Sequence, residues 1–170
     1  GPGGTNALTG VVCGWLDSIP MFIISGQVRY DTTARYTMQF TEGYPLRAVG
    51  DQEYDITKAA SQMTKYAVMI EDPKTIRYHL ERAWHLATTG RPGPVWIDIP
   101  VNFQGCSIET EELEPYDPAE DDAQLPPEVS DEVIKEVTEK IKKAKRPVFH
   151  AGYGIRLSNG YDAFRRAARK

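Results

Sequence analysis

Residues 66–100 read YAVMIEDPKTIRYHLERAWHLATTGRPGPVWIDIP, and their pattern predicts the fold class. It opens and closes with short apolar runs, 66–70 and 95–99, of the length and composition typical of buried strands. Between them Asp72 offers an N-cap before Pro73, and Gly90 ends the helix that this pair predicts. Strand, helix and strand joined by short connections predict an α/β domain with a mainly parallel sheet.

The same pattern extends toward the start of the chain. Periodic apolar residues predict a helix over 5–17, and the run 21–24 predicts a strand covered on both faces. Residues 29–51 show no sustained period and predict a long loop, and 53–61 predict a short helix. Three strands are few for a doubly wound sheet, so we expect an incomplete sheet whose first strands lie upstream of residue 1.

Downstream, an acidic stretch separates this domain from a second one. Eight Asp and Glu residues and no basic residue lie between 107 and 122, with prolines throughout, which predicts an extended linker over 106–127. An acidic binding tail is the alternative. Ser130 then caps a predicted helix with a buried apolar stripe, followed by a strand over 148–151 and a helix over 161–169. Residues 128–170 are therefore expected to begin a second, truncated α/β domain.

Composition excludes several classes of function. The chain has 170 residues, 41% of them hydrophobic, and a net charge of −4, which disfavours a nucleic-acid partner. Its apolar runs are too short for a membrane span, and no signal-peptide pattern opens it. Two cysteines, Cys13 and Cys106, cannot build a disulfide framework. We expect a cytoplasmic protein without a membrane or nucleic-acid partner.

Polar residues follow the predicted strands. Ligands of open parallel sheets gather at the carboxyl ends of the strands, which singles out residues 25–27 and 98–102. Gln52 and Glu53 form a further polar pair, with helix capping as the alternative role. A generic nucleotide-binding regulator would need a complete glycine fingerprint near Gly152, and Leu157 stands where its third glycine should be. From the residues alone, the prediction stops at an α/β unit with a ligand crevice.

Six groups of motif residues occur in this chain in the same order as in a known protein family. They are GPGGTN at 1–6 with Gly10 and DSIP at 17–20, SGQV at 25–28, DQEYDI at 51–56, TK at 64–65, GRPGPV at 90–95, and DIP at 98–100 with Gln104. In this order they resemble acetolactate-synthase-type thiamine diphosphate enzymes. The resemblance implies that residues 1–105 are the C-terminal part of the pyrimidine-binding domain, and that the central domain begins near 128.

The resemblance also implies roles for individual residues. Gln52 matches the family glutamine that reaches the thiamine site, and it is the catalytic candidate. Ser18 and Arg91 match positions that meet FAD in members that hold a structural flavin, and Lys65 matches a lysine near the substrate entrance. The turn beside the pyrimidine of the cofactor corresponds to Gly1, Pro2, Gly3 and Asn6.

The implied activity is decarboxylation of a 2-keto acid with transfer of the resulting aldehyde unit, by a homo-oligomer using thiamine diphosphate and Mg²⁺. The family glutamate lies upstream of the position of Gly1, and the Mg²⁺ motif lies in a C-terminal domain. We therefore expect no metal ligands in this chain and no activity of the chain alone. The loop over 30–51 differs from the corresponding loop of biosynthetic members. The identity of the acceptor and the retention of FAD therefore stay open. The pathway also stays open, between synthesis of surface polysaccharide and synthesis of branched-chain amino acids. A non-catalytic dimerisation or binding module is the alternative function.

Overall fold

The computed structural model describes residues 2–125 and 127–169. They form two compact units, with the division between Leu125 and Pro126. The first unit contains a parallel sheet with helices, and the described part of the second is helical. No helix in these ranges is long and apolar enough to cross a membrane.

The sheet of the first unit has three strands, β1 (Phe22–Gln27), β2 (Tyr66–Met69) and β3 (Val95–Pro100). Their order is β1-β3-β2, and both pairings are parallel. Phe22 and Tyr66 both lie opposite Val95, so all three strands begin at one edge of the sheet, here called the amino edge. They end at the opposite carboxyl edge. The predicted α/β class with a parallel sheet is confirmed.

The helices of the first unit are mostly short. The longest is the one predicted between the strands of residues 66–100. The loop expected over 29–51 instead contains one α-helix and two 3₁₀ segments, Tyr30–Thr32 and Met38–Phe40. The α-helices are α1 (Leu8–Asp17), α2 (Ala34–Thr37), α3 (Ile56–Ala60), α4 (Ile76–Thr88) and α5 (Val101–Gln104), and the other 3₁₀ segments are Pro2–Ala7, Ser61–Met63, Pro73–Thr75, Thr110–Glu112 and Pro118–Gln124.

The core lies on both faces of β3. Val95 and Ile97 pack on one face with Ala83 and Leu86 of α4. Trp96 points to the other face, and its cluster includes Val11 of α1 with Ile56 and Ala60 of α3. This alternation explains why the sequence of β3 reads as an almost continuous apolar run, because both faces of the strand are buried.

The acidic segment packs against α4 instead of forming an extended linker. Leu113 and Tyr116 are buried, and the carboxylate of Asp121 pairs with Arg82 at 2.8 Å. Like-charge repulsion predicted an extended chain, but α4 supplies the compensating positive charge. The packed part of this segment therefore belongs to the first unit.

The second unit contains α6 (Asp131–Lys143), α7 (Gly154–Leu157) and α8 (Tyr161–Ala168). The helices predicted after Ser130 and from residue 161 are confirmed. The strand predicted over 148–151 is wrong, because these residues are irregular and Val148 is 90% exposed. A strand needs a neighbour to pair with, and the structure assigns none in 127–169. The stripe of α6 predicted to be buried is about half exposed at Ile134, Val137 and Ile141.

Candidate functional site

An open depression of about 410 Å³ lies at the carboxyl edge of the sheet. It unites three separate parts of the sequence: the 3₁₀ turn that opens the chain, the end of β1, and the turn before α3. Its lining residues, which define the carboxyl-edge depression, are Pro2, Gly3, Gly4, Ser25, Gly26, Gln27, Val28, Asp51 and Gln52. Polar residues at the end of β1 and the Gln52 turn thus meet where ligands of parallel sheets gather.

Beneath this depression β1 and β3 are joined by a buried polar network. Asp98 of β3 is fully buried and accepts hydrogen bonds from Ser25 Oγ at 2.6 Å and from Gln27 Nε2 at 2.8 Å. Burial raises the pKa of the Asp98 carboxyl, and the two hydrogen bonds oppose that shift because they favour the charged form. The polar residues predicted to be candidates after two strands therefore contact each other directly.

Gln52 occupies the turn that borders the depression. Its φ is +58°, in the left-handed region, and the turn is closed by Glu53 N–H donating to the carbonyl of Gly50 at 3.2 Å. The Gln52 side chain is exposed. A non-glycine residue in this conformation carries conformational strain, and such strain is typical of functional turns.

Glu53 stabilises the chain on either side of this turn. Its two carboxylate oxygens accept hydrogen bonds from the backbone N–H groups of Ala34 and Val49, each at 2.6 Å. Ala34 is the first residue of α2, so Glu53 acts at a helix start, in line with the capping alternative, although it caps α2 rather than the following α3. The N-cap of α3 is Asp55. Sequence reasoning missed this link across the long loop.

The structure brings together some of the residues predicted to bind thiamine diphosphate. Pro2, Gly3 and Gln52 line the carboxyl-edge depression. Asn6 lies on the 3₁₀ segment Pro2–Ala7 and is exposed. It is not one of the residues that line the carboxyl-edge depression. Gly1 lies outside the described residues.

A second depression, of about 290 Å³, is lined by two other predicted site residues, Lys65 and Arg91. It is lined by Trp15, Leu16, Lys65, Arg91 and Pro92, which define the amino-edge depression. Arg91 Nε donates to Ser18 Oγ at 2.7 Å, so the two positions assigned to a flavin are in contact. Ser18 itself is buried and has a left-handed φ of 58° at the C-cap of α1.

Lys65 lies in this second depression rather than near Gln52. Its Nζ donates to the carbonyl of Thr89 at 2.7 Å, and burial lowers its pKa. Its backbone N–H donates to Pro94, one residue before β3, which places it at the amino edge. Within this chain Lys65 and Gln52 therefore lie at opposite edges of the sheet.

The carboxyl-edge depression leaves open space beside the opening turn, since an added Cβ at Gly3 would meet no atom within 4 Å. The exposed Gln52 amide offers both a donor and an acceptor there. No group of three His, Cys, Asp or Glu side chains that could hold a metal ion occurs in the described parts of the chain.

The fold defines an α/β unit with an open depression at the carboxyl edge of a parallel sheet. Comparison with curated proteins shows that the chain is similar to part of the acetolactate synthase large subunit, a thiamine diphosphate enzyme family, and the resemblance described above is confirmed. No protein-family model matches the chain.

Three relatives illustrate the similarity. The Lactococcus lactis acetolactate synthase large subunit is 34% identical over 172 residues, covering 97% of this chain and 26% of that protein. Escherichia coli acetolactate synthase isozyme 1 large subunit is 34% identical over 158 residues, covering 91% of this chain and 25% of that protein. The Corynebacterium glutamicum large subunit is 33% identical over 168 residues, covering 97% and 24%. The chain thus spans about a quarter of the length of these relatives.

Proposed function

We propose that this chain forms part of a thiamine diphosphate-dependent enzyme that decarboxylates a 2-keto acid and transfers the resulting aldehyde unit. The observation that carries the proposal is the meeting of Pro2, Gly3 and Gln52 in one depression at the carboxyl edge of the sheet. The similarity to acetolactate synthase large subunits over nearly the whole chain supports it.

Each part of the depression has a task in this proposal. Thiamine diphosphate, when bound, supplies the electron sink for breaking the bond between the carboxylate and the carbonyl carbon. The opening turn at Pro2 and Gly3 lets the ring approach the backbone closely. The Gln52 amide orients a reacting oxygen by donating a hydrogen bond to it. The exposed side chain and the strained backbone of Gln52 suit a group held ready for a ligand.

The amino-edge depression has a separate task in the proposal. Arg91 and Ser18 bind FAD if the enzyme retains it, since a guanidinium fork suits a phosphate or another anionic group. The two side chains lie together, since Arg91 Nε donates to Ser18 Oγ at 2.7 Å. Lys65 lines the same depression. Mg²⁺, a 2-keto acid substrate, a homo-oligomeric assembly and a cytoplasmic location complete the proposal, and the family resemblance and composition support them.

The test is exchange of the C2 hydrogen of thiamine diphosphate for deuterium in the full-length protein that carries this chain, with Mg²⁺ present. This readout needs no knowledge of the keto acid or of the acceptor. Exchange far faster than that of free thiamine diphosphate is the expected result. Exchange at the rate of the free cofactor would overturn the catalytic proposal and leave the dimerisation or binding module as the function.

The chain of 170 residues by itself is expected to show no such exchange. Mixing it with thiamine diphosphate and Mg²⁺ and following the same C2 signal tests this expectation directly. Accelerated exchange by the chain alone would show that its own residues suffice to activate the cofactor, against the expectation of an inactive segment.

A further inference from the structure

In the buried network below the carboxyl-edge depression, the donor and the acceptor of each hydrogen bond can be assigned. Trp96 Nε1 donates to Ser25 Oγ at 2.7 Å, so Ser25 directs its own hydrogen to Asp98 Oδ1. Asp98 Oδ2 accepts from Gln27 Nε2 at 2.8 Å. Each carboxylate oxygen thus accepts a hydrogen bond from a different β1 side chain, and each bond can be removed separately.

Gln27 extends the network beyond the sheet. The same Nε2 donates its second hydrogen to the carbonyl of Tyr54 at 2.7 Å, and Gln27 Oε1 accepts from the N–H of Val28 at 3.1 Å. Both amide hydrogens are therefore used, and the side chain is 4% exposed. Gln27 forms a rigid bridge from Asp98 to the backbone two residues after Gln52.

The turn that receives this bridge needs external support. Gln52 has a φ of +58°, which an unconstrained glutamine rarely adopts. An added Cβ at Gly50 would meet the carbonyl oxygen of Thr32 at 2.9 Å, so the turn is also tightly packed at its start. Strained residues of this kind persist where surrounding contacts hold them in place.

We propose that Asp98 is a positioning residue that acts through Gln27 and Tyr54 to hold the turn carrying Gln52 at the rim of the carboxyl-edge depression. The importance of Asp98 for the reaction rests on the proposed function, because Gln52 contacts the reacting atoms only in that function. The mechanical link itself is independent of any cofactor. The raised pKa of Asp98 agrees with a carboxyl withdrawn from solvent beneath the site.

Amide hydrogen exchange in the full-length protein that carries this chain tests the link. The reporters are the amides of Glu53, which donates to Gly50, and Ile56, which donates to Tyr54. Asp98→Leu, which keeps a similar shape but removes both acceptors, should speed their exchange about tenfold. Exchange within α4 serves as the internal reference for overall stability.

Two further variants separate positioning from general support of the sheet. Ser25→Ala removes the other donor to Asp98 and leaves the bridge through Gln27 intact, so exchange at residues 53 and 56 should stay within twofold of the wild type. Asp98→Asn keeps an acceptor for Gln27 and should restore most of the protection lost in Asp98→Leu. If Asp98→Leu does not fold, Gln27→Met cuts the same bridge in its middle and should give the same tenfold change.

Wild-type exchange at residues 53 and 56 after the bridge is cut would overturn the inference. An equal effect of Ser25→Ala would also overturn it, because the network would then support only the sheet edge. Failure of the proposed function is distinguishable, since it would appear as unaccelerated C2 exchange in the full-length protein with the amide result unchanged.

Discussion

The guanidinium of Arg82 and the carboxylate of Asp121 form a two-bond ion pair: Nε lies 2.8 Å from Oδ2, and Nη2 lies 3.0 Å from Oδ1. Asp121 is 2% exposed, and its Oδ2 also accepts a hydrogen bond from the Tyr116 hydroxyl at 2.7 Å. The pair joins α4 to a segment 39 residues further along the chain. It fixes the acidic segment as part of the first unit.

Asp121→Ala should lower the free energy of unfolding of this unit by about 2 kcal/mol, since it leaves Arg82 and Tyr116 without their buried acceptor. Urea denaturation followed by far-UV circular dichroism measures the change. Glu114→Ala is the matched control, because Glu114 is an exposed acid of the same segment. Its effect should stay within about 0.5 kcal/mol. Equal effects of the two substitutions would contradict a specific pair.

The same pair predicts a pH dependence. The hydrogen bonds from Arg82 lower the pKa of Asp121 below its unfolded value of about 3.9. A lowered acid pKa gives stability that is present above the unfolded pKa and is lost as pH falls through the folded pKa. The urea midpoints of the wild type and Asp121→Ala should therefore converge between about pH 5 and pH 2. A constant difference over this range would show that the charge of Asp121 contributes nothing.

Substitutions of Gln52 can separate its effect on stability from its effect on turnover. Gln52→Gly relieves the left-handed strain and should leave stability unchanged or raise it by about 0.5 kcal/mol. In the full-length enzyme it should lower turnover about a hundredfold, because an orienting amide is lost. Gln52→Asn keeps an amide and tolerates this backbone conformation, so it should retain more turnover than Gln52→Gly. Full turnover of Gln52→Gly would refute the assigned role.

Arg91→Ala should release the flavin from a full-length enzyme that holds one, because the charged fork that contacts Ser18 is lost. Gel filtration with visible absorbance measures the flavin that remains with the protein. Ser18→Ala removes only the hydroxyl and should retain most of it. Flavin retention equal to the wild type after Arg91→Ala would place the flavin, if present, elsewhere.

Two glycines of α1 should respond in opposite directions to alanine. At Gly10 an added Cβ meets nothing within 4 Å, so Gly10→Ala should stabilise the unit by about 0.5–1 kcal/mol through helix propensity. At the buried Gly14 the Cβ would collide with the sulfur of Met21, so Gly14→Ala should be destabilising. Thermal unfolding of the two variants gives the comparison. Stabilisation by both would mean that Met21 moves aside without cost.

Local sequence patterns predicted the helices and strands that follow one another closely in the chain. The apolar runs 66–70 and 95–99 and the helix between them were placed within a few residues, because burial on both faces of β3 leaves a continuous apolar sequence. Residues 25–27 and Asp98 were singled out because strand ends in a parallel sheet converge. The register of the sheet shows this convergence, with Ser25 directly opposite Asp98.

Features that depend on distant partners were not predictable. The acidic segment looked repulsive because its compensating cation, Arg82, lies 39 residues away. The hydrogen bond from Lys65 Nζ to the carbonyl of Thr89 carries no sequence signal, because every residue has a carbonyl group. The apolar run at 148–151 resembled a strand, but the structure assigns no strand within residues 127–169. In each case a long-range contact, or its absence, decided the outcome.

The two depressions are separated by the length of the strands, because Gln52 lies at the carboxyl edge and Lys65 at the amino edge. A strand of six residues spans about 20 Å. At that spacing substitutions without shared partners combine additively, so changes in free energy at Gln52 and Arg91 should simply sum. Substitutions can therefore accumulate at the amino-edge depression without changing the stability of the carboxyl-edge depression.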